Sequence, residues 1–400
     1  MSFVAANDKL LVLAGRDKVF VASLESLSRE TTAIDISEAR PVPVPSATTN
    51  SPSPKKVSVV CLTISTDSKY LCAADSDKYV YIYGKSKSGW KLLRYFQTEK
   101  RLLQMIFNND SGYLAMTDKC GDVWLSDLVS EDAAIPRKIL GHCSVILHTC
   151  LNAEGTRIFT CDRDEKIRVS SFPDSYIIKG YYMGHKEAVV SIALVFNDTH
   201  LFSVDIESNL KFWKVENKSC ALTFNLFTVL RLTGEEATKS DFQISLMRAT
   251  ELNSTKVYLA MKVANYDKVP VFDFDLESLT VQLVGEVPIN STLFDFYWVG
   301  TSLFIACPDS SEGLIQVVIT EDGKISEPKS CVIPQWEEIR TNMSSFIQFN
   351  QVCTIPLRKR VANDGLEKGP CNKVRATEDK VGDLKKVDGK KNVEKEPASA

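Results

Sequence analysis

Between Asp162 and Ser171 the chain reads DRDEKIRVSS. Its second half alternates, with Ile167 and Val169 set between Lys166, Arg168 and Ser170, which is the pattern of a β-strand. Its first half is charged and turn-like. Three other stretches fall in register with it: DSDKYVYIYG (Asp75–Gly84), DKCGDVWLSD (Asp118–Asp127) and DIESNLKFWK (Asp205–Lys214). The leading aspartates are 43, 44 and 43 residues apart. Five positions further on come Val80, Val123, Ile167 and Leu210; seven positions on come Ile82, Leu125, Val169 and Phe212. Upstream, Leu71, Leu114, Ile158 and Leu201 repeat with the same spacing.

A period of about 40–45 residues with several short strands in each repeat is that of a WD-type β-propeller blade. Two Gly–His dipeptides, at Gly141–His142 and Gly184–His185, support this, each lying just ahead of a first strand. The closing Trp–Asp slot is degraded to Tyr83–Gly84, Ser126–Asp127, Ser170–Ser171 and Trp213–Lys214. One complete unit reads as four strands: SVILHTCL, RIFTC, KIRVSSF and YIIKGYYM. Units two to five span 57–99, 101–142, 144–185 and 187–226, and two weaker units follow at 240–289 and 291–334. The stretch KLLVLAGRDKVFVASL supplies two strands of the first unit, so closure by strands drawn from both chain ends is expected. The fold class predicted is all-β, a seven-bladed propeller over residues 1–335. Within it, residues 29–56 are rich in Pro, Ser and Thr and read as a disordered insertion. Residues 336–356 are expected to pack on the ring as an extension, and 357–400 to form a charged, flexible tail.

The composition bounds the function. At 44% hydrophobic and 25% charged residues, the 400-residue chain is that of a globular protein. Its net charge of −3 is uneven: from Arg358 to Ala400 there are twelve Lys/Arg and eight Asp/Glu, leaving the body at about −7. A body of that sign argues against a stand-alone nucleic-acid binder. Eleven cysteines without a C-x-x-C pair, beside four histidines, read as reduced core thiols of the cytosol or nucleus, not as a metal site. MSFVAANDKL lacks the basic and apolar regions of a signal peptide, and no run approaches a membrane span. No G-x-G-x-x-G, P-loop, G-x-S-x-G or H-E-x-x-H occurs. The expectation is a non-catalytic protein with no cofactor, whose His142 and His185 hydrogen-bond within their own blades. Asp164 is expected to stabilise its blade and Asp162 to begin the turn.

The string DRDEKIRVS, with ILGH before it and YMGHKEAVVS after it, resembles the non-catalytic WD-repeat subunit of the eukaryotic tRNA (guanine-N7) methyltransferase. The resemblance is clear over blades three to five and architectural elsewhere; blades six and seven carry no motif of that family. It implies a scaffold that binds side-on to a separate catalytic subunit. That partner would hold S-adenosylmethionine and form 7-methylguanosine in the tRNA variable loop, while the propeller supports it and helps hold tRNA. The residues carried over are Arg163, Glu165, Lys166 and Arg168, as a partner-binding edge of mixed charge. The location implied is the nucleus, with the cytoplasm beside it. A different WD-repeat adaptor, such as a ubiquitin-ligase substrate receptor or a chromatin scaffold, is the alternative.

Overall fold

Seven four-stranded antiparallel sheets follow one another along the chain, each made of four consecutive strands. The computed structural model describes residues 4–27, 31–39, 57–130, 135–230, 243–264, 266–289, 295–307, 313–320 and 323–331, with the single residues 293, 333, 336 and 339. The innermost strands are Val4–Ala6, Val59–Ile64, Leu102–Phe107, Ile146–Leu151, Val189–Val195, Ile244–Glu251 and Asp295–Val299. Each touches the next, and the last touches the first, so the sheets form a ring. The second strand of each blade lies between the neighbouring sheets and is buried on both faces: Leu71 to Asp75 and Leu201 to Asp205 are buried without interruption. This is why these strands read as apolar runs instead of alternating.

The blade boundaries read from the period hold for units two to five. The weak sixth and seventh units are full blades at Ile244–Pro288 and Asp295–Cys331. Between blades five and six, Phe202, Phe212 and Phe274 meet with ring centroids 4.4–4.9 Å apart. Aromatic burial of this kind adds specific ring contacts to the area term.

The two chain ends differ from expectation. The first blade is complete by itself: Thr31–Asp35 pairs with Lys18–Ser23, from Ala22 opposite Thr31 to Lys18 opposite Asp35. The expected insertion of 29–56 therefore contains the outer strand of blade one, followed by a buried Ile36. That strand is half-exposed, so its polar TTAID carries no apolar run to betray it. Residues 40–56 lie outside the described residues. Nor do the described strands mix the chain ends in one sheet. Asp295 Oδ2 instead accepts the Val4 N–H at 3.1 Å, while Phe304, Ala306 and Leu314 of blade seven join the core of blades one and two. Of the expected extension at 336–356, Trp336 lies against Gly313, where a Cβ would collide with the indole, and Ile339 is buried in the same core. The remainder of that segment, and the tail 357–400, lie outside the described residues.

Turns on one face join the blades. Asn7 Nδ2 donates to Ser65 O, Thr66 Oγ1 to Asn109 O, Asn109 Nδ2 to Ala153 O, the Ala153 N–H to Asp198 Oδ2, the Phe196 N–H to Glu251, and Thr250 Oγ1 to Gly300 O. No helix among the described residues is long and apolar enough to cross a membrane.

Candidate functional site

The repeated aspartate has one structural job in four blades. Asp75, Asp118, Asp162 and Asp205 are all buried at the end of a second strand. In each, Oδ1 accepts the N–H groups two and four residues on, which closes the turn into the third strand. Oδ2 takes a side-chain donor: Tyr81 Oη or Trp124 Nε1 at 3.0 Å, His142 Nδ1 or His185 Nδ1 at 2.9 Å. In blade five the chain of bonds is longest, running Trp213 Nε1 to Ser203 Oγ, Ser203 Oγ to His185 Nε2, and His185 Nδ1 to Asp205. Blade four keeps His142, Thr160 and Asp162 but has Ser170 where blade five has Trp213. Both histidines therefore bond within their blades, as expected. The stabilising aspartate is Asp162, not Asp164; Asp164 contributes only its N–H to the Asp162 carboxylate. The reason is geometric: only the last residue of the second strand can face both the turn amides and the Gly–His ring.

That turn presents the charged residues singled out in the sequence. Arg163, Glu165 and Lys166 are half-exposed on it, and Glu165 sits at φ 71°. Arg168 differs from the expected presented charge, being 8% exposed. Its Nε donates to Ser170 Oγ at 2.9 Å, one terminal nitrogen to Gly141 O at 3.1 Å and the other to Ser175 O at 3.0 Å. Burial lowers its pKa from the ordinary arginine value, with the nearby Tyr181 opposing. Arg168 thus clamps the blade-three outer strand and the turn before the blade-four outer strand. Lys166 and Arg168 also line an open groove of about 340 Å³ with His142, Cys143, Tyr181 and Met183.

The outer strand of blade four, Ile178–Tyr182, supplies what sequence reading missed. Eleven large apolar side chains are exposed among the described residues, and Tyr176, Ile177, Ile178, Tyr181 and Met183 are five of them. Five of the eleven thus fall within eight residues of one blade edge, which sets this edge apart from the scattered single exposures elsewhere. A bulge contributes: Val169 pairs with Gly180 and Ser170 with Ile178, leaving Lys179 extra and bending the strand. Gly180, at φ 145°, allows Lys218 of blade five to approach, where a Cβ would meet its Cε at 2.5 Å. The result is an apolar strip beside a rim of Arg163, Glu165 and Lys166, the anatomy of a specific protein interface. The signal was in YIIKGYYM, whose apolar residues fall on both faces of an edge strand. Among the described residues no group of three His, Cys, Asp or Glu is placed to hold a metal.

Residues 134–313 match the family model described as tRNA methyltransferase TRM82 WD40 domain, and residues 48–84 match that of the WD domain, G-beta repeat. The tRNA (guanine-N(7)-)-methyltransferase non-catalytic subunit wuho of Drosophila pseudoobscura pseudoobscura is 32% identical over 159 residues, 40% of each chain. The protein of the same name from Drosophila mojavensis is 27% identical over 56% of each chain. The chain thus spans between two fifths and somewhat over half of the length of these relatives. Among solved structures, the Cps50 (Swd1) β-propeller domain of Myceliophteria thermophila superposes with a TM-score of 0.57 over 76% of this chain and 92% of that one, at 11% identity. The chain is accordingly a seven-bladed WD-repeat propeller whose central blades are similar to the non-catalytic subunit of tRNA (guanine-N7) methyltransferase.

Proposed function

We propose that this chain is the non-catalytic scaffold of a tRNA (guanine-N7) methyltransferase heterodimer. The edge of blade four docks a separate S-adenosylmethionine-dependent subunit, which forms 7-methylguanosine in the tRNA variable loop. The observation that carries the reading is the coincidence of two features on that blade. It holds the apolar strip Tyr176–Met183 beside the charged turn Arg163–Lys166, and it lies wholly within the segment matching the tRNA methyltransferase model. In such a surface the strip supplies buried area and the rim supplies orientation. Arg168 acts on the interface indirectly, by fixing Gly141 and Ser175 beneath it. The nucleus is the proposed location, with the cytoplasm beside it.

The test is affinity purification of the full chain with identification of its stoichiometric partner. A methyltransferase-fold subunit, lost when Tyr181 and Met183 are both changed to Ser, is the expected result. A cullin adaptor or a histone in its place would move the protein to another class of WD-repeat adaptor. The purified chain alone is expected to bind no S-adenosylmethionine in calorimetry.

A further inference from the structure

We infer that the ribbon joining the third and fourth strands of blade two, residues 84–91, binds the phosphate backbone of RNA. These strands, Tyr79–Ser86 and Gly89–Gln97, are eight and nine residues long. The ladder between the second and third strands of the blade ends at Tyr70 opposite Gly84, with one further bond from the Lys85 N–H to Lys69 O. The pairs Lys85–Trp90 and Ser86–Gly89 continue beyond it as a two-stranded projection. In blades three to six the outer pairing stops at or before the end of the second strand's pairing. Lys85 still bonds the second strand, its N–H donating to Lys69 O as Leu128, Phe172, Val215 and Leu276 do in those blades, so the projection proper to blade two is the pair Ser86–Gly89 with the turn between them.

Its chemistry is one-signed. From Lys78 to Thr98 there is no Asp or Glu, while Lys85, Lys87, Lys91 and Arg94 are present. Lys85, Lys87 and Lys91 are exposed and make no ion pair among the described residues, although other surface lysines do so, as Lys69 with Asp67 and Lys138 with Asp122. Arg94 is engaged, donating to Asp127 O at 3.0 Å. Beyond Lys91 the outward face of the same strand continues with Leu93 and Tyr95, 56% and 45% exposed. Leu93 is folded across Gly84, where any side chain would meet it, so the ribbon keeps a flat apolar step beside its lysines. The tip is fixed, with Ser86 Oγ donating to Gly89 O at 2.7 Å and Gly89 at φ 117°.

Three unpaired ammonium groups with an exposed tyrosine fit a phosphodiester chain with a base or sugar set against the ring. The ribbon joins the third and fourth strands of its blade, whereas the turn of Arg163–Lys166 joins the second and third strands of blade four, so the two lie at opposite ends of their sheets. The identity of the RNA as tRNA rests on the proposed function; the phosphate-binding role does not.

The experiment measures binding of fluorescein-labelled tRNA transcript by the full chain, alone and co-purified with its catalytic partner, across a salt series. The triple variant Lys85→Glu, Lys87→Glu, Lys91→Glu is compared with Lys→Gln at the same positions, in case the reversed charges unfold the blade. The complex should lose about tenfold or more in RNA affinity, and the slope of log affinity against log salt should fall by about three in the Gln variant. Partner retention should be unchanged, which separates this result from a failure of the docking edge. If no methyltransferase partner is found, the chain alone should still show the same drop in slope. Unchanged affinity and slope in the folded Gln variant would overturn the inference. So would a loss confined to phosphatidylserine vesicles or to polyglutamate, with tRNA binding intact.

Discussion

Asp295 Oδ2 accepts the backbone N–H of Val4 at 3.1 Å, across 291 positions of sequence. Its other oxygen meets Arg248 at 3.3 Å, so one carboxylate ties blades six, seven and one together. Asp295 is 1% exposed, and its loss removes a buried acceptor from both the Val4 N–H and the Arg248 guanidinium. Asp295→Ala should therefore cost about 3–5 kcal/mol, the range for breaking a buried pair. Urea unfolding followed by fluorescence checks this. A shift no larger than that of Thr250→Ala, on an exposed inter-blade bond, would mean that the apolar contacts alone hold the seam.

Asp162 and Asp164 separate cleanly by substitution. Asp162→Ala removes the acceptor of two turn amides and of His142, and should destabilise by about 2–4 kcal/mol through unsatisfied buried donors. Asp164→Ala should stay within about 0.5 kcal/mol. Thermal melts of the two variants side by side decide the assignment.

The rim and the strip of blade four should fail in different ways. Arg163→Glu with Lys166→Glu should melt normally yet weaken partner binding by roughly 30- to several-thousand-fold, if those charges are desolvated on docking. Arg168→Leu should lose stability as well as binding, because its three internal bonds go with it. Differential scanning fluorimetry with a quantitative pull-down reads both. Wild-type binding by the double variant would place the docking edge elsewhere on the ring.

His148 gives the fold an acid-side limit. Burial, reinforced by the charge of Arg248, lowers its pKa from 6.5 to about 3. Between those values the unfolded chain takes up the proton and the folded chain does not, so stability falls as pH falls through that window. Asp67, lowered to about 2, adds a loss only at more acid pH, below its ordinary 3.8. Replacing His148 by Gln should flatten the pH dependence of the unfolding midpoint between about pH 6.5 and 4, leaving the steeper acid limb in place.

The repeat was legible because one carboxylate does the same work in four blades, and identical work keeps identical spacing. Its exact role was not, since Asp162 and Asp164 are equally plausible in a charged turn until the Gly–His ring is placed. The outer strand of blade one escaped notice because half-exposed TTAID has the composition of a loop. Asp295 lies in LFDFYWV and reads as an interruption of an apolar strand; only the ring brings Val4 to it. That Arg163, Glu165 and Lys166 sit on a surface turn was legible from their string, whereas the exposure of Tyr176–Met183 shows only once the described blades are placed beside them.

The seam between blades seven and one has a consequence for how the chain is made. Each blade is a contiguous piece of chain, so its sheet can be completed as that piece leaves the ribosome. Only the seam must wait for both ends. Until Asp295 is synthesised, the apolar face of blade one, with Val4, Leu11 and Phe20, has no cover from blade seven. Nascent chains shorter than this present a row of finished sheets with an open apolar end, the species most in need of a chaperone. The same contiguity means that a cut between any two blades would leave every four-stranded sheet whole.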